Sequence, residues 1–398
     1  MSGFVGKLYL SALLAFFVAP LDNYLYRWDY LPFRPTILFA LGFLPIGLVA
    51  ATRWWRAGMP LADPGNVRAS NGLLIASYGF LTVVYLLWTI LPEATPQGDG
   101  PDVLRLYGLV NLIAALACAR AGLREDDLRM VLLPALLVLV GSMTLDAIEP
   151  GTFSVDGYRA AGIAENSNMA GFSVVLIAAA MIRYDRLRIG DLLCLGVATA
   201  AALATFSRAA LLLALIVFAI WGIDLLRSST NWPRTSRIAL GVVGLSAATG
   251  LVVTLGYGIA TGDVYRWVEN DRVATLLATD GPESLLVSGD RERCARYSLD
   301  ALPGAWWLGR GTGYTRSLPI GPHNLWLEQW VSNGVPGMLG LAAFLVVAAA
   351  SASLRRSGAA LAVVAILAAQ CLFSHNLLDE RAPLLVLGLV LGVTRRGA

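Results

Sequence analysis

Apolar stretches of about 15 to 24 residues recur along this chain of 398 residues, each near the ~20 that a helix needs to cross the hydrocarbon of a bilayer. Twelve can be counted, near 4–21, 36–51, 71–91, 103–119, 130–148, 168–182, 190–204, 208–226, 238–260, 334–353, 359–377 and 382–394. Composition agrees: the chain is 57% hydrophobic and only 14% charged, with mean hydropathy +0.65. That much apolar surface cannot be hidden in a water-soluble core of this size. The expected fold is therefore an all-α polytopic membrane protein of about 12 transmembrane helices. Residues 1–260 would hold the first nine, 261–333 one long loop carrying short helices, and 334–398 the last three. The opening run lacks the small-residue cleavage site of a secretory signal, having Pro20, Tyr24, Tyr26 and Trp28 instead, and reads as a first span.

Orientation follows from the arginines, because loops on the cytoplasmic side are enriched in Lys and Arg. With the N-terminus inside, the inner loops collect Lys7, Arg53, Arg56, Arg68, the 120–129, 183–188 and 227–237 clusters, and Arg355 and Arg356. The run 190–226 is too long for one crossing, and both flanking clusters are basic and belong on one side. A hairpin tip is thus expected near Thr205-Phe206-Ser207-Arg208, with Arg208 at the outer surface close to hydrocarbon, where an ionisable residue is a functional candidate. Arg105 and Arg159 fall to the outer loops by the same count.

The long outer loop breaks the rule. It carries seven arginines, Arg266, Arg272, Arg291, Arg293, Arg296, Arg310 and Arg316, just ahead of His323, one of only two histidines. Their concentration outside points to a bound anion. Residues 290–302 read as a helix with Cys294, Ala295, Leu299, Ala301 and Leu302 on one face together with Arg291. Arg293, Arg296 and Asp300 lie opposite, where Glu292–Arg296 and Arg296–Asp300 are i,i+4 pairs that explain this polar side without a ligand. Arg291 has none, and a guanidinium aimed at a packed face requires an anionic partner. A helix is expected to begin at Pro322, placing His323 at its positive end beside apolar surface. Both conditions favour neutral imidazole, which suits a general base. His375 repeats the local His-Asn-Leu at the end of a span and is the competing candidate.

Charge and cysteine usage exclude other classes. Net charge is +3 with no basic stripe, so nucleic acid is not an expected partner. The four cysteines suggest neither a disulfide nor a thiolate metal site. The outer carboxylates Asp263, Asp271, Asp290 and Glu328 are scattered, so no metal and no cofactor is expected.

The chain resembles the O-antigen ligases of Gram-negative inner membranes, within the superfamily of O-antigen ligases and polymerases. Their signature of His, then Asn, Ser or Gln, nine residues, Gly, two residues, and Gly, Thr or Tyr is met by His323-Asn324, Gly334 and Gly337. His375-Asn376 fails it, with Val386 at the glycine position. Ser207-Arg208-Ala209 is similar to the family's Ser-Arg turn, Ser288-Gly289-Asp290-Arg291 to its Ser-Gly-Arg element, with Asp290 interposed, and Asn166-Ser167-Asn168 to a paired-asparagine element that opens a middle span. The resemblance implies a donor glycan on undecaprenyl pyrophosphate, an acceptor hydroxyl on the lipid A core oligosaccharide, membrane lipids as surroundings, and an active site facing the periplasm. By the same resemblance His323 would be the catalytic base. Arg208, Arg291 and Asn324, with Arg266 and Arg272 as helpers, would bind substrate. An O-antigen polymerase using the same donor is the nearest alternative. A polytopic lipid-glycan transporter is the alternative from another class, though such proteins usually show related halves and polar elements near the midplane.

Overall fold

A computed structural model describes residues 3–56, 65–94, 101–120, 122–154, 159–186, 188–205, 207–228 and 289–393. Every regular element among them is helical. In chain order these are α1 Phe4–Phe17, α2 Leu21–Arg27, α3 Pro35–Arg56, α4 Gly65–Leu87, α5 Pro101–Arg120, α6 Glu125–Ile148, α7 Ser167–Met181, α8 Ile189–Ala204, α9 Arg208–Ser228, α10 Gly289–Asp300, α11 Leu325–Arg355, α12 Gly358–Gln370 and α13 Arg381–Gly392.

Eleven of the twelve apolar stretches coincide with helices, while 238–260 lies outside the described residues, as do Arg266 and Arg272. Among the described residues, four helical stretches are long and apolar enough to cross a membrane: 69–90, 125–148, 208–225 and 325–355. The α1–α2 pair, bent by 49° at Ala19-Pro20, makes a fifth if taken as one span. Twelve full-length crossings are not what the described helices provide, since α7, α8, α12 and α13 have only 15, 16, 13 and 12 residues. At 1.5 Å per residue, a 12-residue helix covers only about 18 Å.

Large apolar side chains point outward along the longer helices, among them Leu41, Leu44 and Leu48 of α3, Phe80 and Val83 of α4, and Leu339 and Val346 of α11. Such a surface is at home in hydrocarbon rather than water. Inside, α7 is buried on every face from Ala170 to Met181, and α13 from Ala382 to Gly392, which marks the two as the bundle's axis. Close approach explains the small residues there. Gly388 and Gly392, four apart on α13, lie against Ala115 and Ala119 of α5, and a Cβ on either glycine would overlap those methyl groups.

Polar contacts sort the helix ends into two groups. At one end Lys7 pairs with Asp127 at 2.7 Å, Arg129 with Asp191 at 3.2 Å and Arg183 with Asp126, while Arg355 donates to Asn71 at 2.9 Å. At the other, Arg27 pairs with Glu165, Arg381 with Asp22, Arg105 with Asp379 at 3.3 Å, and Arg310 with Glu93 at 2.8 Å. The first group gathers the basic loops expected inside, the second those expected outside. The tip of the α8–α9 hairpin also lies where expected, between Ala204 and Arg208.

The segment before α11 departs from expectation. The helix starts at Leu325, three residues after Pro322, because Asn324 caps it: its Oδ1 accepts from the backbone N–H of Trp326 at 2.8 Å and of Leu327 at 3.2 Å. The helix is then broken at Gly334, whose φ of +62° only glycine adopts without strain. Residues 307–311 dock into the break. The Arg310 and Gly311 N–H groups donate to the carbonyls of Val331 and Ser332, both at 2.9 Å, and the Val335 N–H donates to the Trp307 carbonyl at 3.0 Å. Gly309 and Gly334 pass back to back, so a Cβ on Gly334 would strike the Trp307 carbonyl and the Gly309 amide. The Gly334→Ala protein should accordingly lose about 1–3 kcal/mol or more, from positive-φ strain plus overlap, and unfold at a clearly lower temperature in detergent. An unchanged melting temperature would contradict this docking.

Candidate active site

Arg105 is the largest fully buried side chain among the described residues, 2% exposed although it sits one turn into α5. Its guanidinium lies 3.3 Å from an Asp379 carboxylate oxygen and 3.8 Å from one of Glu328, and 4.9 Å over the Tyr85 ring. A charge buried this deeply is tolerable only beside opposite charge, and two carboxylates supply it. Each carboxylate belongs to a segment that carries a histidine. Glu328 is in the first turn of α11, five residues after His323, and Asp379 is four residues after His375 in the loop from α12 to α13. A backbone hydrogen bond from Leu325 N–H to the Cys371 carbonyl, 2.8 Å, joins the same two segments.

The consequence is that the two histidines meet. Their ring centroids are 5.8 Å apart with planes at 61°, an edge-on contact. His323 is exposed and immediately precedes the capping Asn324, so solvent and ligands reach it. Burial is therefore not what would keep it neutral. His375 is half-buried, and its Nδ1 has no hydrogen-bond partner among the described residues. Burial first, and then the positive charge that His323 could carry, hold the His375 imidazole below its ordinary range. His375 is in a loop, because α12 stops at Gln370 instead of running to 377. Arg316, exposed in the 3-10 turn Tyr314–Ser317, adds positive potential at Glu328 and His375.

The signature glycines serve this geometry. Gly334 makes the break described above, and a Cβ on Gly337 would run into Asn333 and the Gln329 carbonyl. Gln329, Asn333 and Thr312 continue the polar network inward. Asn333 Nδ2 donates to Gln329 Oε1 at 3.0 Å, and the Thr312 hydroxyl donates to the Tyr85 carbonyl at 2.6 Å.

The other expected residues distribute as follows. Ser207 caps α9 by accepting from the Ala210 N–H at 3.3 Å, and Arg208 follows, exposed, as the first helical residue. A helix dipole disfavours a cation there, so helix stability does not account for Arg208. Arg159, which donates to the Thr205 carbonyl at 2.9 Å and to Asn168 Oδ1 at 2.9 Å, ties that hairpin tip to the start of α7. Along α10 and the turn after it the buried positions are Cys294, Ser298, Ala301 and Leu302, with Leu299 exposed, so the packed stripe is turned slightly from the expected one. Helical register still puts position 291 on that stripe. Arg293 and Arg296, on the opposite side, are exposed. Arg310 is a structural residue: it pairs with Glu93, donates to the carbonyls of Ala301 and Pro303, and lies over the Tyr314 ring.

Reasoning from sequence passed over Arg105, Glu328 and Asp379. The available signal was Arg105 itself, an ionisable residue inside an apolar run. Compared with known proteins, the chain matches no family model and no curated sequence.

His375 gives the site a pH signature. Its folded pKa lies below the ordinary value of 6.5, so between those two values the unfolded chain binds more protons and stability rises with pH. As pH falls through that window, stability drops. Denaturant titrations in detergent from pH 7 to 5 should show this slope in the native protein and a flatter one in His375→Gln; equal slopes would contradict the assignment.

Proposed function

We propose that this protein is a multi-pass enzyme of the bacterial inner membrane that acts as an O-antigen ligase. It would move a glycan from undecaprenyl pyrophosphate to a sugar hydroxyl of the lipid A core, with twelve crossings and the site facing the periplasm. The observation that carries the reading is the exposed His323 ring held edge-on against His375, at the end of the bundle where the Ser207-Arg208 turn and the α10 helix also lie. A solvent-accessible imidazole backed by a second imidazole, which burial keeps uncharged, is suited to receiving a proton.

In this mechanism His323 takes the proton of the acceptor hydroxyl as its oxygen attacks the anomeric carbon. The new C–O bond forms on the face opposite the lipid, the bond from that carbon to the pyrophosphate oxygen breaks, and its electron pair leaves on the pyrophosphate. The anomeric configuration inverts. Arg208 and Arg291, with Arg266 and Arg272 as helpers, would neutralise the growing charge through charge-assisted hydrogen bonds, taking the part a divalent metal plays elsewhere. The dipole of α9 adds to the positive field at Arg208. Asn324 contributes by setting the helix start that orients His323. His375 limits the pair to one proton, since two imidazolium rings in contact would repel.

Purified protein given undecaprenyl-pyrophosphate glycan and rough lipopolysaccharide should build a ladder on lipid A core, with EDTA making no difference. His323→Ala should reduce turnover by roughly 10² to 10⁴ with donor affinity retained, as losing a general base does. Elongation on undecaprenyl alone would instead assign a polymerase. Uptake into vesicles without covalent product would assign a transporter.

A further inference from the structure

A cavity of about 300 Å³ opens at the outer end of the bundle, next to the histidine pair but distinct from it. Its walls come from the α1–α2 bend (Asn23, Tyr24), the start of α7 (Asn166, Met169) and the 371–380 loop (Asn376, Glu380). The volume is at the lower end of the roughly 300 to 1,000 Å³ typical of small-molecule sites.

Charge decides what kind of molecule fits. Two arginines line the cavity, and each is already engaged: Arg27 with Glu165, and Arg381 with Asp22 and, at 2.8 Å, Asn23. Glu380 is a third carboxylate against those two cations. Burial first, and then the charge of Asp379, pushes it up to about 7, so near neutral pH it both donates and accepts. No positive charge is left over for a phosphate or pyrophosphate. What remains is the spare hydrogen-bonding capacity of three side-chain amides whose oxygens already accept once or twice, the Glu380 carboxyl, and the Tyr24 ring, with Ile163, Ala164 and Met169 as apolar lining. Amides donate and accept at once, which matches adjacent hydroxyls, and an aromatic face matches the C–H face of a pyranose.

We infer that this cavity binds an uncharged sugar ring, presenting a saccharide to the neighbouring histidines. Asn376 is the link: it follows His375 directly, accepts from the Ser374 hydroxyl at 2.6 Å and donates to Glu380 at 3.4 Å, so one short loop forms both the cavity wall and the His323 contact. The inference rests on the glycan-transfer reading and assigns the saccharide a place in it. The ring would belong either to the donor glycan or to the acceptor core.

The test is saturation-transfer NMR on the full chain in nanodiscs, with neutral methyl hexopyranosides and disaccharides as probes. At least one should receive saturation, inorganic pyrophosphate should not displace it, and Tyr24→Ala and Asn376→Ala should weaken it about tenfold. No transfer to any probe, unaltered transfer in both variants, or displacement by pyrophosphate overturns the inference. A gain-of-site variant guards against misfolding: Met169→Cys should react with a small maleimide from the cavity and be protected by the same sugar, and absence of protection also overturns it. In glycan-transfer assays of Tyr24→Ala, a KM raised for donor alone or for acceptor alone tells the two sources apart. Sugar binding here without any glycan transfer would sink the proposed function and leave this inference standing; transfer with an unoccupied cavity would do the reverse.

Discussion

The buried guanidinium of Arg105 is the contact on which the histidine-bearing end of the bundle depends. It joins three pieces of chain far apart in sequence: α5, the first turn of α11 through Glu328, and the loop before α13 through Asp379. Breaking a buried pair of this kind by removing one partner typically costs about 3–5 kcal/mol, because the other charge is left stranded. The histidines sit on the two segments that Arg105 draws together. The Leu325–Cys371 backbone hydrogen bond ties the same two segments beside that clamp. The site is therefore a property of the tertiary ion cluster and not of either histidine motif alone.

Around this clamp the architecture separates two polar environments. The histidine pair lies between the positive charge of Arg316 and the carboxylates of the Arg105 cluster, of which Asp379 acts on His375 more strongly than Arg316 does. The adjacent cavity has its arginines neutralised by carboxylates. The broken α11 belongs to the same design. Gly334 lets residues 307–311 pack into the helix, and the loop that carries Arg310, Thr312 and Arg316 is thereby fixed against the segment that begins at His323.

Features legible in the sequence were those encoded locally. The α8–α9 tip followed from span length and two flanking basic clusters, and the helix ends sort as the arginines suggested, because both signals sit within a few residues of the structures they determine. The spacing from His323 to Gly334 and Gly337 marked a real structural unit for the same reason. The start of α11 was misplaced by three residues because Pro322 is acceptable in a first turn, yet the Asn324 cap is stronger. The partnership of His375 with His323 was not legible, nor was the Arg105 cluster, since Arg105 lies more than 200 residues from Glu328 and no periodicity links them. His375 read only as the competing candidate, because Val386 stands where the signature has glycine. Asp379, four residues after it, is half of the clamp.

The most direct test of this account is a proximity measurement. With cysteines replacing His323 and His375, mild oxidation should cross-link positions 323 and 375, detectable as a joined peptide by mass spectrometry, and adding Arg105→Leu should largely abolish the link while the protein remains helical. A cross-link that forms equally well without the Arg105 guanidinium would contradict the claim that this buried cation assembles the site.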